Sequence, residues 1–257
     1  MLGLLVLIAL NFYLLALVNS APIQTPFKEI RMRFINSKIL RIAVLFLATL
    51  NLAHAQSVDA PTFVGGEKWE YQKRDLWTDK VSQRFTVKIL GVSGDFVRRS
   101  FETTNISNNG EIMKPQSSEM TGRADLNETV IFHGEKMTKL WYQWPLQPGK
   151  KWSFQFRAEL APSAPNAAPQ IMTTNINAEV KGWETVEIAS GKVKAIKIEY
   201  KSNWTTDSPA STGDTVNTVW YCPELKTQVK NVFETFAADG SPQARTVTAL
   251  VLYQAKP

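Results

Sequence analysis

GKKWSFQFR, residues 149–157, alternates aromatic and polar side chains with a period of two. Such alternation is typical of a β-strand that has one buried and one solvated face. The same pattern recurs at residues 69–72, 84–89 and 196–201, whereas helical periodicity is nearly absent after Gln56. The chain is therefore predicted to be all-β, with an antiparallel curved sheet that forms a half-barrel, a barrel or a sandwich.

An internal repeat begins at the same stretch. GEKWEYQKR matches GKKWSFQFR at Gly, Lys, Trp, Gln and Arg. The aligned segments are residues 66–74 with 149–157 and, further along, residues 87, 88 and 91 with 180, 181 and 182. We interpret the repeat as an internal duplication with halves at residues 66–148 and 149–257; the alternative is two strands that converged on a common opening.

Turn residues separate the predicted strands. Ser93-Gly94-Asp95 and Ser190-Gly191 are predicted to form tight hairpin turns in which glycine supplies a positive φ. Two stretches that contain proline, residues 161–170 and 205–214, are predicted to be long loops. The reason is that proline cannot donate a hydrogen bond to a central strand of a sheet.

The N-terminal region predicts export. Residues 32–55 have the order of a helical secretory signal peptide: basic residues, an apolar run, then Ala53-His54-Ala55 before a cleavage site between Ala55 and Gln56. The apolar run, residues 42–52, is shorter than the roughly 20 residues that a membrane-spanning helix needs. The sequence therefore predicts a periplasmic or secreted protein.

Residues 1–31 lie before this predicted signal peptide. Their apolar run at residues 2–18 lacks a preceding Lys or Arg, which a signal peptide would normally have. We interpret them as an extension upstream of a true start at Met32, with a marginal apolar anchor as the alternative. Residues 56–257 are then a single β domain that contacts the membrane only through the N-terminal segment, if that segment stays uncleaved.

Charge argues against nucleic acid as a partner. Five of the 29 basic residues and one of the 23 acidic residues precede Gln56, so the exported part carries 24 basic against 22 acidic residues. Such a nearly neutral chain lacks the basic surface that binds phosphates. Its single cysteine, Cys222, cannot form an intramolecular disulfide and is predicted to be a small buried apolar residue.

The residue inventory predicts no catalytic residue, no metal site and no cofactor. His133 is the one histidine after residue 56, which excludes multi-histidine metal sites, and no GxSxG segment presents a nucleophilic serine. His133 is predicted to lie in a turn at a strand end. Two carboxylate pairs, Glu184 with Glu187 and Asp75 with Asp79, are predicted to be surface charges, although an acid and base couple is the alternative.

Aromatic residues are the unusual feature of the exported part, which holds all eight tryptophans. Residues 140–144 are predicted to be a strand with aromatic side chains on both faces, and Trp220 is predicted to face away from its neighbours. A strand that is apolar on both faces must be covered on both faces. Trp204 lies in a polar run and is predicted to be an exposed contact residue. The candidate ligand-binding residues are Trp141, Tyr142, Trp144, Trp204 and Trp220.

Three signatures resemble an uncharacterised family of proteobacterial periplasmic β proteins. They are WPLxxGxxW at residues 144–152, the turn ASGKVKA at residues 189–195, and VWYCPELKTQVK at residues 219–230. The chain departs from the family pattern by lacking a proline before the turn and by having Cys222 in place of a serine. The resemblance covers about residues 140–235 and implies a periplasmic location and β architecture, but no activity.

These features predict an exported, non-enzymatic β protein that binds a hydrophobic ligand or lipid, or an envelope protein, through its curved sheet. One alternative is a structural envelope or assembly module whose sheet is fully packed on both faces. A second alternative is a hydrolase built on carboxylates.

Overall fold

The computed structural model describes residues 57–161, 169–207 and 210–255, and within them all regular secondary structure is β. The predicted extension, signal peptide and cleavage site lie outside the described residues. The twelve strands are β1 (Lys68–Asp75), β2 (Val81–Ser93), β3 (Phe96–Asn105), β4 (Gln116–Arg123), β5 (Glu128–Phe132), β6 (Glu135–Lys139), β7 (Lys151–Leu160), β8 (Gln170–Ile188), β9 (Gly191–Asp207), β10 (Ala210–Cys222), β11 (Thr227–Ala237) and β12 (Pro242–Gln254).

Ten of these strands form one antiparallel sheet, and β5 and β6 form a separate hairpin. The order in the large sheet is β4-β3-β2-β1-β12-β11-β10-β9-β8-β7. Strands that are neighbours in this sheet are therefore also neighbours in the sequence, except that β1 pairs with β12, the strand furthest from it along the chain. The all-β antiparallel prediction is confirmed, and the sheet is open at β4 and β7 rather than closed into a barrel.

The sheet curls over its buried face. Val186 and Ile188, at the end of β8, pack in one buried cluster with Trp69 of β1 and Ile89 of β2, although several strands separate them in the sheet. We call the face that carries the buried side chains the interior face and the opposite one the outer face. A curled sheet with one wet face explains why apolar and polar residues alternate along its strands.

Residues 124–150 run from β4 at one edge of the sheet to β7 at the other, and we call them the crossing segment. Tyr142 and Leu146 of this segment are buried against Ile198 of β9 and Val219 of β10. Leu146 also exchanges two backbone hydrogen bonds with Val58, of 2.9 and 2.8 Å. The crossing segment therefore covers part of the interior face.

The two aligned stretches of the sequence begin their strands in the same way. The backbone N–H of Gly66 donates to the carbonyl of Ile89 at 2.8 Å, and that of Gly149 donates to the carbonyl of Val180 at 2.7 Å. Both glycines have a positive φ, of 101° and 83°, which an L side chain rarely adopts. A register shift follows in each case, at Ile89/Gly91 and at Val180/Gly182.

The tryptophans of the two stretches also make equivalent contacts. The indole N–H of Trp69 donates to the carbonyl of Leu225 at 2.8 Å, and that of Trp152 donates to the carbonyl of Leu140 at 2.7 Å. Residue 89, and not 87, is the structural counterpart of Val180, which shifts that part of the alignment by two positions. The duplication itself stays a prediction, supported by these equivalent contacts.

The predicted hairpin turns lie where expected, with a positive φ of 55° at Gly94 and 127° at Gly191. The boundaries of the first predicted loop also agree, since β7 ends at Leu160 and β8 begins at Gln170. The prediction of a long loop at residues 205–214 is wrong, because β9 and β10 are paired as far as Asp207 and Ala210. The stretch contains Thr205, Thr206 and Thr212, and β-branched residues favour strands.

Residues 140–144 do not form the predicted two-faced strand. β6 ends at Lys139, and residues 140–144 are irregular. Their aromatic side chains pack onto the interior face from the crossing segment, so Tyr142 is buried and Trp141 and Trp144 are half-buried without belonging to the sheet.

Candidate ligand-binding cleft

An open cleft of about 390 Å³ lies between the interior face and the crossing segment. β1 and β2 contribute Tyr71 and Phe85, and β10 contributes Asn217 and Val219. Other lining residues are Gln228 and Asn231 of β11, with Leu126, Glu128, Trp141 and Tyr142 of the crossing segment. The cleft is thus lined by aromatic rings and side-chain amides.

Asn127 fixes the crossing segment above the cleft. Its Oδ1 accepts a hydrogen bond from the backbone N–H of Tyr142 at 2.8 Å, and its Nδ2 donates to the carbonyl of Tyr142 at 3.0 Å. The side chain of Asn127 therefore satisfies both polar groups of one residue in an irregular stretch, as buried backbone requires. Asn127 itself is 5% exposed.

Asp125 supports Asn127 from behind. Its carboxylate accepts hydrogen bonds from Arg123 Nη2 at 2.6 Å, Asn127 N at 3.0 Å and Asn127 Nδ2 at 3.1 Å. Burial alone would raise the pKa of Asp125, but the hydrogen bonds from Arg123 and Asn127 outweigh it and lower the pKa. The Asp125 carbonyl accepts from the Trp144 indole at 2.8 Å, which ties this tryptophan to the same network.

The tyrosine hydroxyls of the cleft already have protein partners. Tyr71 shares a 2.5 Å hydrogen bond with Thr227, Tyr142 accepts one from Gln228 Nε2 at 2.8 Å, and the Tyr200 hydroxyl donates to the carbonyl of Trp141. Burial raises the pKa of all three phenols, so they are neutral at physiological pH. They shape the cleft and do not act as proton acceptors there.

The amides of β10 and β11 provide the polar groups of the cleft. Asn217 Oδ1 is buried and has no hydrogen-bond partner among the described residues. Asn231 Nδ2 donates to Gln228 Oε1 at 3.3 Å, which leaves the Asn231 carbonyl oxygen as a further acceptor. A buried acceptor without a partner is costly, so Asn217 is an unsatisfied polar residue in the lining of the cleft.

Three of the five predicted ligand-binding residues lie together. Trp141 and Tyr142 line the cleft, and the ring of Trp144 stacks on Tyr142 with centroids 5.0 Å apart. Trp141 is held by edge contacts to Phe154 at 5.3 Å and Tyr200 at 5.7 Å. These residues come from the crossing segment, whose ends are fixed by β4 and β7.

Trp204 and Trp220 lie elsewhere. Trp204 is half-buried and covers Gly213, where an added Cβ would come within 2.7 Å of its ring. Trp220 lies on the outer face, where its indole donates to Glu184 Oε2 at 2.6 Å and the ammonium groups of Lys197 and Lys230 lie 5.2 and 4.9 Å from the ring centroid. Neither residue lines the cleft.

Three residues of the cleft were not predicted from the sequence: Asn217, Gln228 and Asn231. A signal was present for Asn217, because it precedes Val219 and Tyr221 with a period of two and so shares their buried face. Gln228 and Asn231 had no comparable signal, since a register shift in β10 and β11 changes the pairing beside them.

The other chemically interesting residues have structural partners. Glu184 binds Trp220 and Lys197, while Asp75 accepts hydrogen bonds from the N–H groups of Trp77 and Thr78 in the turn after β1. His133 lies in the β5–β6 turn with a φ of 48°, as predicted for a turn residue. Cys222 is buried, which raises the pKa of its thiol.

Glu128 is the one carboxylate among the residues that line the cleft. The described part of the chain contains no group of three or more His, Cys, Asp or Glu residues that could hold a metal ion. Within the same residues, no helix has the length and apolar character needed to cross a membrane.

Comparison with known proteins gives only distant likenesses. No protein-family model matches the chain. A comparison with curated proteins also finds no match. The proteobacterial family resemblance of the three sequence signatures therefore stays a prediction.

Three solved structures are similar to this chain, each at 12% sequence identity and each covered over 100% of its own chain. A hypothesised exported protein with a YmcC-like fold from Bacteroides fragilis NCTC 9343 matches 78% of this chain with a TM-score of 0.40. A hypothesised lipoprotein from Parabacteroides distasonis ATCC 8503 matches 77% with a TM-score of 0.43. The hypothetical lipoprotein YmcC from Escherichia coli K12 matches 91% with a TM-score of 0.35.

Proposed function

We propose that this chain is an exported, non-enzymatic binding protein whose ligand occupies the interior cleft. The observation that carries the proposal is the cleft of about 390 Å³ between the sheet and the crossing segment. Specific ligand sites are concave, mostly preformed and lined by aromatic residues with a few polar groups, as here. Export to the periplasm or the medium is supported by the predicted signal peptide at residues 32–55.

The ligand has an apolar part. Phe85, Val219 and Leu126 line the cleft together with Trp141, so an apolar group that enters would remove their surfaces from water. This arrangement favours the ligand-binding prediction over a structural module with a fully packed sheet. The hydrolase alternative has less support, because a pair of carboxylates is needed and Glu128 has no second carboxylate beside it in the lining.

The proposal is tested with N-phenyl-1-naphthylamine, a neutral apolar fluorophore. We expect saturable binding to the folded protein, and we expect Trp141→Ala to weaken it about tenfold because an aromatic wall of the cleft is lost. Trp220→Ala is the matched control, because Trp220 lies on the outer face; it should leave the affinity unchanged. Absence of saturable binding, or an equal loss in both variants, would contradict the proposal.

A further inference from the structure

We infer that the ligand of the cleft carries an uncharged saccharide ring, which lies against the aromatic wall while its hydroxyls bond to the amides of β10 and β11. This inference rests on the proposed function and names the chemical class of its ligand. It joins three properties of the lining: aromatic rings, side-chain amides and scarcity of charge.

The amides suit hydroxyl groups. A saccharide hydroxyl both donates and accepts a hydrogen bond, and a side-chain amide offers a carbonyl acceptor and an NH₂ donor. Asn217, Gln228 and Asn231 place such groups in one part of the cleft, and Thr227 and Thr248 add hydroxyls beside them. A ring with several hydroxyls could bond to more than one of these residues at once.

The aromatic wall suits the apolar face of a saccharide ring. The C–H bonds of a pyranose form a flat apolar patch that can pack on an aromatic ring, much as aromatic side chains present an apolar surface beside polar groups. Trp141 lines the cleft from the crossing segment, and Phe85 lines it from β2, stacked on Tyr71 at 4.9 Å. The cleft therefore offers both kinds of surface that a sugar presents.

Charge separates this ligand from anionic ones. No Lys or Arg is among the residues that line the cleft, and Glu128 is the single charged residue of that set. A phosphate, sulfate or carboxylate would find no cationic residue in this lining, and the charge of Glu128 is already paired, because Lys139 Nζ lies 3.3 Å from Glu128 Oε2. An uncharged polar ligand needs no charged partner.

Asn217 separates it from a pure hydrocarbon. The buried Oδ1 of Asn217 has no partner among the described residues, and an entirely apolar ligand would leave it so. A rotation of the Asn217 side chain toward the cleft would present this oxygen to a hydroxyl donor, which would remove the penalty. The acceptor that destabilises the unliganded protein would thus contribute to ligand binding.

The inference is tested by calorimetric titration with maltohexaose, cellohexaose and N-acetylchitohexaose, and with hexagalacturonate as the acidic comparison. We expect at least one neutral hexasaccharide to bind, and hexagalacturonate to bind at least about tenfold more weakly. Asn217→Leu should weaken the binding of the neutral hexasaccharide about tenfold. The melting temperature of this variant should equal or exceed that of the wild type, because an unpartnered acceptor is removed. Misfolding would then not explain the loss of binding.

Thr218→Ala is the matched control, since Thr218 neighbours Asn217 on β10 but pairs with Glu199 on the outer face; it should leave sugar affinity unchanged. The inference is overturned if no neutral hexasaccharide binds, if hexagalacturonate binds equally well, or if Asn217→Leu binds sugar like the wild type. Loss of sugar binding alongside intact N-phenyl-1-naphthylamine binding would overturn this inference only. Loss of both would overturn the proposed function as well.

Discussion

Asp125 is the residue through which pH acts on the crossing segment. Its pKa is lowered from 3.8, since hydrogen bonds from Arg123 and Asn127 outweigh the cost of burial. A group whose pKa is lower in the folded state stabilises the fold above its ordinary pKa and loses that effect as the pH falls through the folded value. The contribution of Asp125 is therefore present at neutral pH, begins to fall below about pH 4 and is lost as the pH falls through the folded value.

We expect Asp125→Asn to lower the free energy of unfolding by about 1 kcal/mol at pH 7, after allowance for partial solvent exposure. The difference from the wild type should shrink at pH 3, because the carboxyl is then largely protonated in the unfolded chain, whose pKa is the ordinary value of about 3.9. Urea denaturation at the two pH values measures both differences. Asp214→Asn, which changes an exposed carboxylate on β10, serves as the control, and a difference that grew at pH 3 would refute the assignment.

At the scale of an element, the β9–β10 ladder depends on a close approach between Trp204 and Gly213. A Cβ on residue 213 would lie 2.7 Å from the Trp204 ring and 2.9 Å from the backbone oxygen of Phe236. Both distances are shorter than van der Waals contact, so either the indole or the neighbouring strand must move. The glycine is thus required by its neighbours on both sides.

Gly213→Ala should lower the free energy of unfolding by about 1–3 kcal/mol, because overpacking displaces the indole ring. In a Trp204→Leu background, Gly213→Ala should lower the free energy of unfolding by a smaller amount, since only the close approach to the Phe236 backbone oxygen remains. A double-mutant cycle by chemical denaturation measures this coupling. Strictly additive effects would show that the indole does not rest on Gly213.

The elements that the sequence predicts well are those whose side chains alternate along one strand. KWSFQFR, residues 151–157, lies in β7 as predicted, because local alternation decides which side chains face the interior. Residues 140–144 do not follow this pattern. Their aromatic side chains predict a strand, but they belong to an irregular segment whose rings pack onto the sheet. Trp141 and Tyr142 were still found as candidates, because they are aromatic; Asn231 was not, because a polar residue inside a sheet resembles a surface residue.

At the scale of the whole molecule, the ladder between β1 and β12 joins two parts of the sheet, one formed by β1–β4 and the other by β7–β12. No local pattern predicts this pairing, because it depends on residues that are far apart in the sequence. Leu250 of β12 is 2% exposed and belongs to the buried cluster that also contains Tyr71 of β1 and Val186 of β8. Its side chain therefore contributes to both parts at once.

Leu250→Ala should lower the free energy of unfolding by about 2–4 kcal/mol, as a buried leucine lost without collapse does. Hydrogen exchange should show equal losses of protection in β2 and β9, because one cooperative unit spans the sheet. Leu252→Ala on the same strand is the control, since Leu252 is 37% exposed and should cost less than about 1 kcal/mol. Protection lost in β9 alone would indicate two independent units.

The central place of β12 also decides when the cleft is completed during synthesis. β12 follows all other described strands along the chain, yet it lies between β1 and β11 in the sheet. A chain that emerges from a ribosome or a membrane channel with its N-terminus first presents β1–β4 with an unpaired edge until β12 arrives. The cleft takes Tyr71 from β1 and Thr248 from β12, so no partly emerged chain can contain it. The proposed ligand therefore meets a complete cleft only after β12 has emerged and paired with β1 and β11.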